Sequence, residues 1–256
     1  MEAMVFAAGI GSRLKPFTLT RPKALAPVAG VPALQRCIER LRDEGGISHM
    51  VVNIHHFPDE IRRFIASDSS MRATVDLSDE SELLLDTGGG LLNAVNMFNH
   101  PDGPILLHNA DIVTDFDIAE MERHFNDSGA DVLLLVNPCR SSSRMLWFDE
   151  SDSKLRGWSN EKTGDVKPES FRKEDNSVFK AAFNGVHIVN LGRIAPMLRQ
   201  YAGSHGPVFS LTPFYLWAVG EGADIRGFVP EKEYRWHDIG TPEKLAAATA
   251  DFSGTK

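Results

Sequence analysis

Cysteine is scarce: only two occur in 256 residues, Cys37 and Cys139. That excludes a disulfide framework, and the spacing suits no zinc or iron–sulfur motif. Long apolar runs are missing too, none approaching the ~20 residues that a membrane-spanning helix needs. The opening residues, MEAMVFAAGIGSRL, show no cationic leader ahead of an apolar stretch, so a signal peptide is not expected. A soluble, cytoplasmic protein is the expectation. Positive charge is in deficit, with 27 Lys+Arg against 35 Asp+Glu and a net charge of −8. Binding nucleic acid or a membrane surface needs a broad basic face, so neither partner is expected. A small anion held in a cleft remains compatible. No internal repeat or low-complexity tract appears, and 42% hydrophobic content allows one sizeable core.

One local absence runs against the global charge. From Ala3 to Ile38 there is no acid, while Arg13, Lys15, Arg21, Lys23 and Arg36 all fall inside. Most of these cations lie in AAGIGSRLKPFTLTRPKALAPV, residues 7–28, just after the apolar run Met4-Val5-Phe6. A positive field in a negative chain calls for an anionic partner or a structural reason.

The rest of the chain alternates short β-branched runs with amphipathic stretches. AMVFAA, HMVVNIHH, RATVDLS, GPILLHNAD and ADVLLLVN read as strands. PALQRCIERLRDEGG, the residues near Pro58–Ala66, TGGGLLNAVNMF and IAEMERHFNDSG read as helices, the first stopping at Gly45-Gly46. This order predicts an α/β fold, a Rossmann-like three-layer αβα arrangement with a mostly parallel sheet. Between about 138 and 180 the pattern changes to a hairpin, RMLWFDESDSKLRGW, and a polar segment, SNEKTGDVKPESFRKEDNS. A β-rich insertion with a mobile loop is expected there, in a single domain spanning 1–256. Beyond it, FNGVHIVN, ADIRGFVP and YRWHDI read as strands. LGRIAPMLRQYA, FSLTPFYLWAVGEG and PEKLAAATADF read as helices. Ligands of such sheets bind beyond the carboxyl ends of the strands, which points to Gly9–Lys23, Thr87–Gly90 and Asn109–Asp111.

A Gly-x-Gly loop between strand and helix lets backbone N–H groups approach a phosphate, because no Cβ intervenes. Leu14 stands where a dinucleotide fingerprint has its third glycine, and the Walker pattern is also absent. What remains is Gly9-x-Gly11-x-Arg13, then Pro16, Pro22-Lys23 and Pro27. Prolines around Lys23 hold its segment extended. A fixed ammonium and guanidinium beside a phosphate-sized nest suit a polyphosphate that must be oriented.

These residues resemble the signature of the sugar-1-phosphate nucleotidyltransferases, or NDP-sugar pyrophosphorylases. Ala-Ala-Gly-x-Gly-x-Arg-x-x-Pro-x-Thr-x-x-x-Pro-Lys-x-x-x-Pro is matched at every fixed position. With Asp86-Thr87-Gly88-Gly89-Gly90, the likeness is strongest to the short N-acetylmuramate 1-phosphate uridylyltransferases. It extends over roughly 1–136 and 181–250. The resemblance implies NTP contacts from Ala8, Gly9, Gly11, Ser12, Arg13, Lys23, Thr87, Gly88, Gly89 and Asn109. It implies Mg²⁺ on Asp111 and Asp238. It implies sugar-phosphate contacts from Asn109, Glu161, Lys162, Asn184 and Gly185. On the residues alone, the three glycines also fit a tight turn, Asp238 a turn or cap acid, and Glu161-Lys162 a solvated loop.

The implied reaction is attack by a sugar 1-phosphate oxygen on the α-phosphorus of an NTP, with UTP favoured. Arg13, Lys23, Asp111 and Asp238 would carry the chemistry, Arg13 holding the departing phosphates and Lys23 neutralising the reacting ones. The alternatives are a guanylyltransferase acting on mannose or heptose 1-phosphate, or a non-catalytic nucleotide-sugar-binding regulator. A glycosyltransferase would need an Asp-x-Asp metal motif, and Asp115-Phe116-Asp117 is expected to cap a helix instead. The segment RSSSRMLW, 140–147, lacks the acid that muramate-type relatives place nearby. The partners expected are small-molecule substrates only, with the protein a monomer or homodimer.

Overall fold

The computed structural model describes residues 1–173 and 177–254. The first half runs β1 (Glu2–Phe6), β2 (Pro27–Val28), β3 (Val31–Pro32), α1 (Ala33–Asp43), β4 (Met50–Ile54) and α2 (Pro58–Ser67). It continues with α3 (Ser69–Thr74), β5 (Val75–Asp79), α4 (Asp86–Ala94), β6 (Pro104–Asn109), β7 (Ile112–Thr114) and α5 (Ile118–Ser128). The second half begins with β8 (Val132–Asn137), β9 (Arg144–Asp149), β10 (Leu155–Asn160), β11 (Val166–Lys167) and β12 (Val178–Asn190). It closes with α6 (Leu191–His205), α7 (Leu211–Gly220), β13 (Ile225–Phe228), β14 (Trp236–Asp238) and α8 (Pro242–Phe252).

Side chains alternate across a strand, so β1, buried at Ala3, Met4 and Val5, needs cover on both faces. It sits inside a ten-stranded sheet, parallel to β4 on one side and β6 on the other. Ala3 and Val5 pack with Leu34, Ile38 and Leu41 of α1 and with Met121 and Phe125 of α5. Met4 packs on the opposite face with Leu91 of α4, Ile194 and Leu198 of α6, and Phe214 of α7. Each such side chain contributes about 1.5–3 kcal/mol by leaving water. Successive pairings make β12 and β10 run against the other strands of this sheet. The sheet is therefore mostly parallel in direction and covered on both faces, as predicted.

β9, β10 and β11 form an antiparallel meander in the 138–180 segment. β12 ties it to the main sheet: Val178–Ala181 pair with β9, and the later residues with β6 and β8. Residues 174–176 of the loop expected there lie outside the described residues. Two elements escape the periodicity. The chain at Arg72–Thr74, read as strand, is the end of α3, which carries no apolar period. Asp68 starts that helix by accepting from the backbone of Ser70 and Met71. β7 is only three residues long, too short to alternate visibly. No helix among the described residues is long and apolar enough to cross a membrane.

Candidate active site

The chain leaves the sheet after Phe6, and Asn53 at the end of β4 fixes how. Its Oδ1 accepts from the Ala7 amide at 2.7 Å and the Ala8 amide at 3.3 Å. Its Nδ2 donates to Glu80 Oε1 at 2.8 Å, and Glu80 Oε2 accepts from the Leu85 amide at 3.1 Å. Burial pushes the Glu80 carboxyl above its ordinary range, against these hydrogen bonds. Gly11 then turns the loop at φ +68°, where a Cβ would lie 2.9 Å from Lys23 Cβ and from Thr18 Cγ2. Glycine is required there twice over, by conformation and by space. Leu14, the residue that breaks the dinucleotide pattern, is 1% exposed and packs with Val28, Val113, Ile239 and Phe252. It anchors the loop.

Lys23 opens a short 3₁₀ turn behind the extended Pro22, and its ammonium pairs with Asp111 Oδ2. Asp111 immediately precedes β7. β14 pairs antiparallel with β7, placing Asp238 opposite Ile112, and the Ile239 amide donates to Asp111 O at 3.0 Å. A Cβ on Gly240 would lie 2.7 Å from Asp238 Oδ1, 3.2 Å from Arg13 Nη2 and 3.6 Å from Lys23 Nζ. Arg13, Lys23 and Asp238 therefore converge on one glycine, and Asp111 joins through Lys23. Asp238 Oδ1 also accepts from the Gly240 amide at 2.9 Å, and Oδ2 pairs with Lys244. Burial raises the Asp238 carboxyl, but Lys244, the Gly240 amide and Lys23 outweigh it, leaving it below the usual carboxylate range. Asp238 thus acts as a turn acid, while Thr241 caps α8. Asp117 caps α5 and Asp115 pairs with Arg235, so Asp115-Phe116-Asp117 is structural, as expected.

These groups border a cleft of about 500 Å³ beyond the carboxyl ends of β1 and β6. Ala8, Gly9, Gly11, Ser12, Arg13, Lys23, Thr87, Asn109 and Asp111 line it. Asp238 is absent from that lining and stands behind Gly240. The same lining includes Asn53, which sequence reasoning missed, and Asp86, which it quoted only as the first residue of the Asp86–Gly90 motif. A polar Asn in the otherwise apolar run MVVNI was the available signal for the first.

Five predicted substrate contacts do not line the cleft, and Gly185 touches it only indirectly. Gly88 and Gly89 face away from it: a Cβ would meet the Phe209 ring at 2.4 Å and Pro207 O at 2.1 Å, respectively. Their missing side chains let α4 pack against the 207–209 segment instead of against a base. Gly90 makes room for the Asn53–Glu80 pair. Glu161 is drawn to Ser159, Lys173 and Lys180, and Lys162 is exposed in the turn after β10. Asn184 is wholly buried, its Oδ1 taken by Arg140 Nε at 2.8 Å and its Nδ2 donating to the Tyr234 hydroxyl at 2.7 Å. Gly185 sits at φ +76°, where a Cβ would come 2.8 Å from Asn109 Nδ2. It seats Asn109.

A second cavity of about 610 Å³ shares Phe6, Asp86, Thr87 and Asn109 with the first. Its other walls come from β9–β11, from Phe183 and His187 of β12, and from the start of α7. His187 is 2% exposed, and burial drives its imidazole down to about 3. It is a neutral floor.

A cleft lined by a glycine loop, two cations and Asp111, with Asp238 behind Gly240, is suited to nucleotide phosphates. The profile of the family described as nucleotidyl transferase matches residues 2–145. The chain belongs to that family. It is 28% identical to an N-acetylmuramate alpha-1-phosphate uridylyltransferase of Caulobacter vibrioides, across 97% of this chain and 95% of that one. A mannose-1-phosphate guanylyltransferase of Mycobacterium tuberculosis is also 28% identical, across 98% of this chain, which spans 64% of that protein's length. Two solved structures share the fold. HddC from Yersinia pseudotuberculosis complexed with GMP-PN has a TM-score of 0.72 and 21% identity, covering 98% of this chain and 99% of that one. A putative glucose-1-phosphate thymidylyltransferase of Bacillus anthracis has a TM-score of 0.75 and 16% identity, covering 100% and 96%.

Proposed function

We propose that this nucleotidyl transferase moves the uridylyl group of UTP onto N-acetylmuramate 1-phosphate. An ionised phosphate oxygen of the sugar attacks the α-phosphorus. The bond from that phosphorus to the bridging oxygen breaks, and pyrophosphate leaves with the electron pair. No general base is required, since the attacking oxygen is already ionised at neutral pH. Positioning and charge stabilisation carry such a reaction.

The convergence of Arg13, Lys23 and Asp238 on Gly240 is the observation that carries this reading. Arg13 has no acid partner among the described residues, and its fork suits the departing β,γ-phosphates. Lys23 neutralises charge where the sugar phosphate meets the α-phosphate. Gly9 and Gly11 bring backbone amides to the same phosphates. Asp111 and Asp238 offer only oxygen donors, the first paired with Lys23 and the second with Lys244, and no cluster of three or more metal-binding side chains lies among the described residues. That suits Mg²⁺, which is held by one or two carboxylates together with substrate phosphates. Bound there, it would neutralise phosphate charge.

The uridylyl and muramate assignments draw on the relative matched along nearly its whole length. Guanylyl transfer to mannose 1-phosphate is the second reading, because a relative with that name is equally identical in sequence. Pyrophosphate release across UTP and GTP, each with N-acetylmuramate 1-phosphate and mannose 1-phosphate, tests the choice. UTP with the muramate should give the highest kcat/KM. Faster turnover of GTP with mannose 1-phosphate would establish the second reading, and no release from any pair would leave a binding protein.

A further inference from the structure

The wall of the second cavity is set by strand register. Arg144 lies opposite Asn160, and Leu146, Trp158 and Lys167 form one row across β9, β10 and β11. Alternation puts these five on one face, and all five line the cavity. Met145, Trp147 and Ser159 fall on the other face, where Lys173 and Lys180 are neutralised by Glu161. Arg144 and Lys167 have no such partner: neither side chain forms an ion pair or hydrogen bond among the described residues. The one carboxylate lining this cavity among the described residues, Asp86, already accepts from the Ser210 hydroxyl and the Thr87 amide.

Neither cation lines the nucleotide cleft, where Arg13 and Lys23 already face the phosphates. A ligand with its phosphate near Asn109 and its body in the second cavity would lie against Trp158 and Leu146 and within reach of these two cations, which are unpaired among the described residues. A neutral sugar would leave both without a counter-ion against an apolar wall, whereas an anionic substituent would complete them.

We propose that Arg144 and Lys167 are specificity-determining residues that hold a carboxylate on the sugar, remote from its 1-phosphate. This inference rests on the sugar-phosphate transfer proposed above and names the feature of the sugar that the site selects. N-acetylmuramate 1-phosphate carries such a group, on its lactyl ether. N-acetylglucosamine 1-phosphate has the same ring without it.

The test compares kcat/KM for these two sugars with UTP. The wild-type protein should prefer the acidic sugar by about tenfold to a hundredfold, the range of one or two charge-assisted hydrogen bonds. Arg144→Gln and Lys167→Gln should each lower that preference about tenfold, mainly through KM, whereas Arg144→Lys should keep most of it. Equal use of both sugars, or a preference unmoved by either glutamine substitution, overturns the carboxylate subsite while nucleotidyl transfer stands. Absence of pyrophosphate release from every sugar 1-phosphate overturns both.

Discussion

Lys23 and Asp111, 88 residues apart in the chain, form an ion pair that joins the glycine loop after β1 to the start of β7. The pair is uneven in exposure, the lysine side chain at 12% and the aspartate at 31%. Asp238 is likewise held by a lysine, Lys244. Each carboxylate proposed for the metal thus already has a cation beside it.

Loss of either carboxylate should therefore affect metal-dependent turnover rather than folding. Asp111→Asn and Asp238→Asn should each remove Mg²⁺-stimulated pyrophosphate release while the thermal midpoint stays near wild type. The measurement is a Mg²⁺ titration of the rate beside a melting curve. Retained stimulation in both variants would place the metal elsewhere.

The glycines of the site separate into two kinds, and alanine distinguishes them. Gly89→Ala drives a Cβ to 2.1 Å from the backbone oxygen of Pro207, and a Cβ has no rotamer that relieves it. Destabilisation of about 1–3 kcal/mol or more is expected from urea unfolding. Gly9 has nothing within 4 Å of its Cβ direction. Gly9→Ala should leave stability within about 0.5 kcal/mol, yet raise KM for the nucleotide, because the methyl group enters the phosphate approach.

Stability should fall at both ends of the pH range through one cluster at the start of β1. Burial pushes the Glu2 carboxyl up, but His49 and the Asn99 and His100 amides outweigh it and hold it at about 2. Burial lowers the His49 imidazole, and the Glu2 and Asp76 carboxylates reverse that, leaving it raised. The Glu2 contribution is complete above its ordinary 4.5 and is lost as pH falls toward 2. The His49 contribution is complete below its ordinary 6.5 and is lost as pH rises through the raised value. Urea midpoints at about pH 3, 5.5 and 8 should peak at the middle value. Glu2→Gln should flatten both slopes; unchanged slopes would place the titration elsewhere.

The phosphate loop was legible because glycine, proline and charge at fixed spacing constrain backbone shape and field with little help from the rest of the fold. Asp111 and Asp238 were legible as strand-end carboxylates, though only the β7–β14 pairing shows how they meet. Gly88 and Gly89 lie outside the cleft lining: a glycine announces close approach without saying to what, and the neighbour is the 207–209 segment. Glu161, Lys162 and Asn184 lie outside it too, and their partners are fixed by strand register, which the sequence does not state. Asn53–Glu80 joins two strand ends through single polar residues, a contact without periodicity or motif. Arg144 and Lys167 share a face only once β9, β10 and β11 are in register.

The most direct test of the cleft as the seat of catalysis is the kcat of pyrophosphate release by Lys23→Ala. Removing one preorganised charge donor should lower it about 10²–10³-fold. Thermal stability should barely change, because the partly exposed Asp111 left behind can be solvated. A Lys23→Ala protein that turns over at the wild-type rate would contradict the mechanism and return the loop to a structural role.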